Sequence, residues 1–312
     1  EIEESIKELY PSIGSIGGKK LRGSLAVIIG REFSGNMEKA IKYGCAVEFI
    51  HQGSLFHDDI LDEHDKRRGK PTSFITDGIK KAVMAGDLMF TNALKIGAES
   101  GTEEALAVVD TMQSMLTGAI EEMSLPDIID KIMAGDVEDG IYYRIIDMKT
   151  AVLFACASRF GAMSFTDDKE CIDRFMNYGM LVGEAYQIAD DMVDIIKMAE
   201  ESADITPMNV LPIVPAIIKY NKSTIKSLPF KLLAGKIKPS KGKILSSNLL
   251  DGMSVISSLV DEIGDIDVTG KMMEDIHAKL KEASECVPES KVLTEYSEHA
   301  INQMLSEVGM SL

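Results

Sequence analysis

The feature that most constrains the fold of this 312-residue chain is a helical repeat of apolar residues along nearly its whole length. Apolar side chains recur at three- and four-residue steps, the spacing of one helix face. No run of alternating apolar and polar residues predicts a β-strand. We therefore expect an all-α protein. The segments with this repeat are Leu21–Phe33, Ala40–Leu61, Val83–Ile96, Ala105–Met123, Val137–Phe160, Ile172–Met198, Met253–Ile263, Met272–Ala283 and Val292–Met304.

The chain shows no composition break and no low-complexity linker. Glycine and proline fall mostly between the helical segments, as at Gly17-Gly18 and Pro126, where they interrupt helices. A length of 312 residues allows one large domain or two average ones. The even composition favours a single helical domain spanning residues 1–312.

Charge and composition exclude several classes of function. A net charge of −17 argues against nucleic acid as a partner, because phosphate binding needs a basic face. No apolar run approaches the roughly 20 residues that span a bilayer. The acidic start EIEESIKELY does not resemble a leader peptide. The four cysteines are scattered without a CxxC pair, which favours a reducing cytoplasmic location over disulfides or a zinc site.

Two groups of aspartates repeat the same spacing. The first aspartate cluster is Asp58, Asp59 and Asp62, within FHDDILDEHDKRRGKPT, and its aspartates lie at i, i+1 and i+4 in an apolar helical pattern. On a helix this spacing places the carboxylates about one turn apart on one side. They repel each other unless a cation compensates them. Mg²⁺ suits such a site, since it binds a few carboxylates and takes further oxygen ligands from water and phosphate.

The second aspartate cluster repeats this arrangement 132 residues later. It consists of Asp190, Asp191 and Asp194, within GEAYQIADDMVDI. A solvated acidic helix face would explain one such pattern in a chain with 50 acidic residues, but a repeat within a second apolar helix is much rarer by chance. Helices of a bundle can direct two carboxylate clusters at shared metals. We therefore predict a metal-assisted diphosphate site.

Three further stretches are candidates for anion binding. The glycine-rich segment SIGSIGGKKLR leads into a helix with Lys19 and Arg22, and is either an anion site or a flexible loop. Lys149 on an apolar helix either reaches solvent or donates to a diphosphate. Gln187, three residues before Asp190, would contact substrate or support the metal ligands.

Taken together, these motifs resemble the trans-isoprenyl diphosphate synthases, or polyprenyl synthetases, over nearly the whole chain. The similar stretches, in family order, are GGKKLR, IHQGSLFHDDILDEHDKRRGKPT, AGDLMFTNAL, MKTA and YQIADDMVD. The resemblance implies the isoprenoid synthase fold, a single helical bundle around a deep central cavity, usually as a homodimer. It also implies condensation of isopentenyl diphosphate, head to tail (1'-4, trans), with an allylic diphosphate.

The resemblance also assigns roles to individual residues. The six aspartates of the two clusters would hold Mg²⁺ against the allylic diphosphate. Arg67 and Lys149 would contact that diphosphate, with Gln187 beside them as a further catalytic candidate. The residues implied for isopentenyl diphosphate are Lys19, Arg22, His51 and Arg68.

The chain departs from the family pattern in two places. The segment after Asp194 reads IIKMAEESADITPMNVLP, with Lys197 as its single lysine where the family usually has two. Ala119 stands where a glutamine is common. The lysine-rich run Lys219–Lys243 would compensate or is simply a solvated surface.

The residues before the first cluster bear on product length. Ser54, Gly53 and Ile50 precede Asp58 at the spacing that should line the wall below the diphosphates. A bulky aromatic residue there would block a growing chain, and Gly53 and Ser54 leave room. We therefore expect a product of twenty carbons or longer.

Two other functions remain open on the sequence alone. A class I terpene cyclase shares a metal-bound diphosphate and a helical fold, but usually lacks a second DDxxD cluster and needs no isopentenyl site. A non-catalytic or regulatory subunit of a heteromeric prenyl synthase would keep the fold, and the missing lysines fit that possibility.

Overall fold

The structure is a computed structural model that describes residues 18–124, 140–200, 214–220 and 268–312. Its helices are α1 (Leu21–Glu32), α2 (Met37–Leu61), α3 (Ser73–Thr76), α4 (Ile79–Ser100), α5 (Thr102–Met123), α6 (Ile141–Ile146), α7 (Val152–Met163), α8 (Lys169–Glu200), α9 (Val214–Tyr220), α10 (Val268–Cys286) and α11 (Lys291–Leu305). A π-helix, Asp147–Ala151, joins α6 to α7, and the 3₁₀ turn Ser306–Val308 follows α11. A small antiparallel hairpin consists of β1 (Lys66–Arg67) and β2 (Lys70–Pro71).

The all-α class predicted from the apolar repeat is confirmed. The segment Met253–Ile263 lies outside the described residues. Sequence periodicity missed the hairpin, because two-residue strands are too short to show alternation. It also missed the π-helix within the predicted segment Val137–Phe160, since one wider turn barely changes the apolar pattern.

The first of two compact units contains residues 18–115, 151–183 and 282–295. Helix α2 packs against α1, α4 and α7 in this unit. Tyr43 of α2 stacks on Phe160 of α7, with ring centroids 4.8 Å apart. Gly161 allows α7 to approach α1, because a β-carbon there would lie 2.6 Å from Cβ of Ile29. The first aspartate cluster therefore stands at the end of a helix that is packed against three others.

The second unit contains residues 116–124, 140–150, 184–200, 214–220, 268–281 and 296–312. Its core joins the second half of α8 to α10 and α11, through buried side chains such as Met192, Ile276 and Ile301. Tyr142 and Tyr220 belong to the same core. The second aspartate cluster and Lys149 belong to this unit. The interpretation of residues 1–312 as a single domain remains a prediction.

Within the described ranges, no helix combines the length and the apolar character needed to cross a bilayer. The four cysteines, Cys45, Cys156, Cys171 and Cys286, are all free.

Candidate functional site

The first aspartate cluster lies at the carboxyl end of α2. Asp58 and Asp59 belong to the last turn, and Asp62 caps the helix with its N–H donating to the Asp58 carbonyl over 2.8 Å. The chain then turns through Glu63 at φ 52°, and His64 N donates to the Asp59 carbonyl over 3.0 Å. This backbone pairing is a Schellman ending, which fixes where the carboxylates stand.

The position of the first cluster is electrostatically unfavourable without a cation. The carboxyl end of a helix carries partial negative charge, so carboxylates there are destabilising. No basic residue lies in the last turn of α2. Three aspartates at this place are therefore suited to a positively charged ligand.

Arg67 neutralises one member of the first cluster. Asp59 is only 6% exposed, and Arg67 Nε donates to its Oδ1 over 2.6 Å. Arg67 stands at the end of β1, and Arg68 and Gly69 form the two-residue turn of the hairpin, with φ of 52° and 74°. Positive φ at both positions favours asparagine or glycine. An arginine there is held against its local preference, which fits a side chain retained for its charge.

The hairpin brings Arg68 to the glycine loop before α1. A β-carbon at Gly18 would lie 2.9 Å from Cζ of Arg68, so the guanidinium packs directly on this glycine. Lys19 is exposed beside it, and Lys20 precedes α1 at φ 57°. The structure thus places Lys19 and Arg68, two of the residues implied for isopentenyl diphosphate, in one region; residues 12–17 of the loop lie outside the described residues.

Arg22 and His51 complete this basic group. Arg22 Nη1 lies 3.4 Å from His51 Nε2, and its guanidinium stacks 4.7 Å from the centroid of the Phe154 ring. Burial, followed by the charges of Arg22 and other nearby basic residues, lowers the pKa of His51 well below 6.5. His51 is therefore neutral at physiological pH and suited to a hydrogen bond rather than to a charge contact.

Glu48 is a functional candidate that the sequence reasoning missed. It is 2% exposed, and its Oε1 accepts from Gly23 N over 2.8 Å. Burial raises the pKa of Glu48, while this hydrogen bond and the nearby Lys20, Arg22 and Arg68 charges oppose that shift. The carboxylate thus orders the start of α1 and the surrounding cations. A single acidic residue three positions before His51 in an apolar helix was the available signal.

The residues predicted to set product length are packed more closely than expected. A β-carbon on Gly53 would lie 2.8 Å from the Phe90 ring of α4, and Ile50 is fully buried. Ser54 is half-buried and donates to the His51 carbonyl over 2.9 Å. Phe90 therefore fills the space beside Gly53, which sequence reasoning could not see, because Phe90 lies 37 residues further along the chain.

The second aspartate cluster contains one strongly held member. Asp191 is 7% exposed and accepts from Tyr142 Oη over 2.7 Å and from Gln187 Nε2 over 2.9 Å. Gln187 Nε2 also lies 3.4 Å from Asp190 Oδ2, and Thr150 Oγ1 donates to Gln187 Oε1 over 2.7 Å. The sequence predicts that Gln187 either contacts substrate or supports the metal ligands, and these contacts fit the second role.

Two aspartates of the second cluster, Asp191 and Asp194, have raised pKa values. Burial raises the pKa of Asp191 to about 8, with a further upward contribution from Asp190 and Asp194. Desolvation and the Asp190 charge also raise the pKa of Asp194, against the attraction of Lys197, and this shift is smaller than that of Asp191 because Asp194 is exposed to solvent. Crowded carboxylates that are costly to ionise are the kind of group that a divalent cation stabilises.

The three aspartates of each cluster fit Mg²⁺, because carboxylate oxygens are ligands that this hard cation prefers; at the first cluster, His64 Nδ1 lies 3.9 Å from Asp62 Oδ2. In the part of the chain that the structure describes, no group of three or more His, Cys, Asp or Glu side chains converges as a metal site. Mg²⁺ usually needs only one or two carboxylates beside water and phosphate oxygens, so two aspartates of a cluster suffice.

Lys149 is engaged by an acidic partner. It lies in the π-helix, and Nζ donates to Oε2 of Glu122 on α5. Beside it, Arg144 Nε lies 2.8 Å from Glu121 Oε2. The lysine therefore does not simply extend into solvent, and a phosphate would have to compete with Glu122 for it.

Two lysines close to the segment after Asp194, where the chain departs from the family pattern, also have partners. Lys197 Nζ lies 2.7 Å from Glu307 Oε2, and Lys219 Nζ lies 5.0 Å from the centroid of the Tyr143 ring. Residues 201–213 and 221–267, which hold most of the departing segment and of the lysine-rich run, lie outside the described residues.

The fold and these residues define an all-α protein with two DDxxD clusters, one in each unit. The family profile described as polyprenyl synthetase matches residues 3–206. The chain therefore belongs to the polyprenyl synthetase family. The matched residues include both aspartate clusters and end before the lysine-rich run.

The similarity to known relatives covers only part of each relative's length. A short chain isoprenyl diphosphate synthase of Methanothermobacter thermautotrophicus is 33% identical over 212 residues, 64% of this chain and 63% of the relative. A nonaprenyl diphosphate synthase of Mycobacterium tuberculosis is 29% identical over 212 residues, 67% of this chain and 61% of the relative. The matches thus span about three fifths of these proteins.

A third relative and a solved structure extend the comparison. Heptaprenyl diphosphate synthase component 2 of Geobacillus stearothermophilus is 30% identical over 231 residues, 70% of each chain. The crystal structure of heptaprenyl diphosphate synthase from Staphylococcus aureus has a TM-score of 0.75 at 19% identity, covering 98% of this chain and 96% of that one. This likeness establishes the fold.

Proposed function

We propose that this protein is a prenyltransferase that condenses isopentenyl diphosphate, head to tail, with an allylic diphosphate. The observation that supports this most is the repeated DDxxD cluster, with one buried aspartate in each held by a side chain, Arg67 or Gln187, that has a substrate role in the family pattern. Membership of the polyprenyl synthetase family supports the same reaction class.

The allylic diphosphate would be bound by the aspartates, Arg67 and Lys149. When bound, Mg²⁺ would supply Lewis-acid stabilisation of the diphosphate charge. Arg67 and Lys149 would donate to the leaving diphosphate as its negative charge develops, where electrostatic catalysis is most effective. Lys149 would exchange Glu122 for the diphosphate. The carbon–oxygen bond then breaks to leave an allylic cation and diphosphate.

Isopentenyl diphosphate would be bound by the basic group of the first unit. Lys19, Arg22 and Arg68 would contact its diphosphate, and neutral His51 would add a hydrogen bond. This binding holds the double bond against the allylic cation, so that the new carbon–carbon bond forms at close range. No described side chain is placed as an obvious base, and the departing diphosphate would take the final proton.

We propose a product of twenty carbons or longer. The names of relatives run from geranylgeranyl to nonaprenyl diphosphate synthase, so family membership leaves the length open. The small, half-buried side chain of Ser54, one turn before Asp58, supports elongation past fifteen carbons, whereas Gly53 adds no space because Phe90 packs against it. The test is incubation with Mg²⁺, isopentenyl diphosphate and farnesyl diphosphate, with product length measured by mass spectrometry. A C15 ceiling would contradict the proposal.

We also propose a homodimer in the cytoplasm. Helix α4 leaves Met84 and Leu88 exposed by 62% and 50%, one turn apart, and Leu106 of α5 is 53% exposed. Exposed apolar patches of this kind mark protein interfaces.

A subunit of a heteromeric synthase is the second candidate. The relative named component 2 and the lysine-poor segment after Asp194 favour it. Purified protein with Mg²⁺ and both substrates separates the two. Turnover by this chain alone supports the homomeric enzyme, whereas turnover that requires a second polypeptide supports the subunit.

A further inference from the structure

Asp191 is buried, and hydrogen bonds reach both of its carboxylate oxygens. Tyr142 Oη donates to Oδ2 over 2.7 Å, and Gln187 Nε2 donates to Oδ1 over 2.9 Å. Tyr142 is itself 2% exposed. Because a buried carboxylate is costly without donors, each of these hydrogen bonds restricts the position of Asp191 strongly.

The same contacts connect α8 to the helix that carries Lys149. Tyr142 lies on α6, seven residues before Lys149, and Thr150 directly follows that lysine. Thr150 Oγ1 donates to Gln187 Oε1, so the α6–π-helix segment is tied to α8 on both sides of Lys149. The π-helix contains the second tie, Thr150, and interrupts the regular α-helical turn, so the two ties fix its position against α8.

We infer that Tyr142 is a positioning residue that acts through Asp191. It holds Asp191 and thereby sets the register between Lys149 on the π-helix and Asp190 and Asp194 on α8. Tyr142 is 2% exposed and would itself contact neither the diphosphate nor the metal. Outer hydrogen-bond partners of metal-binding carboxylates commonly change metal affinity by about 10- to 100-fold when they are removed.

The inference rests on the proposed function, since it assumes that the second cluster binds a metal diphosphate. Tyr142→Phe removes the hydroxyl and keeps the ring that packs in the core. The matched control is Tyr43→Phe, because Tyr43 is also buried and donates to a carboxylate, Oε1 of Glu104, over 2.7 Å. Both variants lose a buried tyrosine–carboxylate hydrogen bond, but only Tyr142 contacts an aspartate cluster.

The readout is Mn²⁺ binding in the presence of inorganic pyrophosphate, measured by electron paramagnetic resonance and needing no turnover. We expect Y142F to weaken Mn²⁺ binding about 10-fold and to shift the Mg²⁺ dependence of kcat/KM to higher concentration. The KM for isopentenyl diphosphate should stay unchanged. Y43F should lower the melting temperature without changing Mn²⁺ binding.

A Y142F protein that binds Mn²⁺ as tightly as Y43F does would overturn the inference. If circular dichroism shows that Y142F is unfolded, Thr150→Val is tested instead. Valine removes the hydrogen bond from Thr150 to Gln187 and leaves no cavity in the core. T150V should then also weaken Mn²⁺ binding, and unchanged binding would count against the inference. Wild-type protein that neither binds Mn²⁺ with pyrophosphate nor transfers prenyl groups would instead refute the proposed function.

Discussion

At the scale of single residues, the two clusters share one design. In each, the middle aspartate is buried and hydrogen-bonded, Asp59 by Arg67 and Asp191 by Tyr142 and Gln187. Spacing alone treats the three carboxylates of a DDxxD motif alike. The surrounding side chains make them different, because burial obliges a carboxylate to find donors.

Replacing an aspartate at the end of α2 should reduce catalysis rather than stability. Asp58→Asn removes one negative charge from a crowded helix end, so folding stability should be unchanged or slightly higher. We expect kcat/KM to fall on the order of 10²-fold, as for loss of one electrostatic contact to the reacting group. The control is Asp110→Asn, at an exposed residue of α5, which should leave the rate unchanged.

The neutral His51 should make folding sensitive to acid. Its folded pKa lies well below 6.5, so the unfolded chain takes up the proton first as pH falls. Stability is therefore nearly unaffected above pH ~6.5 and is lost below it, by up to about 1.4 kcal/mol near pH 5.5. Denaturant unfolding of wild type and His51→Gln should show a smaller acid loss in the variant. Equal losses would contradict the assignment.

At the scale of helices, α2 combines a site with a tight packing surface. Its carboxyl end holds the first cluster, and one turn earlier Gly53 contacts Phe90 of α4. From the local sequence, a glycine at position 53 fits either an open cavity wall or a neighbouring group packed too closely for a side chain. The structure places the Phe90 ring of α4 beside Gly53.

Gly53→Ala should therefore destabilise the protein. Its β-carbon would meet the Phe90 ring at 2.8 Å, closer than packed carbon atoms lie. Overpacking of this kind costs about 1–3 kcal/mol, although alanine favours the helix itself. The free energy of unfolding from urea titration measures it. Phe90→Leu in the same chain should recover part of the loss, and no recovery would point to another contact.

At the scale of the whole molecule, helix α4 exposes large apolar side chains to solvent. Met84 and Leu88 are exposed one turn apart, on the helix that packs its other side against α2. In the proposed homodimer this surface is covered by a second copy.

Leu88→Glu should weaken the dimer. A charge placed in an apolar interface loses hydration without gaining a partner, so dissociation is expected at micromolar concentration. Light scattering after size exclusion would then show a mass near 34.1 kDa. Val292→Glu, at an apolar residue of α11 that is 41% exposed, is the matched control. A wild-type monomer would contradict the dimer proposal.

The sequence by itself determined the all-α class, the family and the spacing of both aspartate clusters. The helical class and the spacing within each cluster depend on residues within a few turns of one another, and the family depends on an ordered set of short local motifs, so local sequence encodes all three. Only the tertiary structure decided that Tyr142 holds Asp191, that Glu122 holds Lys149 and that Phe90 packs on Gly53. Tyr142 and Asp191 lie 49 residues apart, and no local pattern records which distant donor a buried carboxylate will find. Helix packing makes that choice, because it decides which polar groups lose water and must satisfy one another.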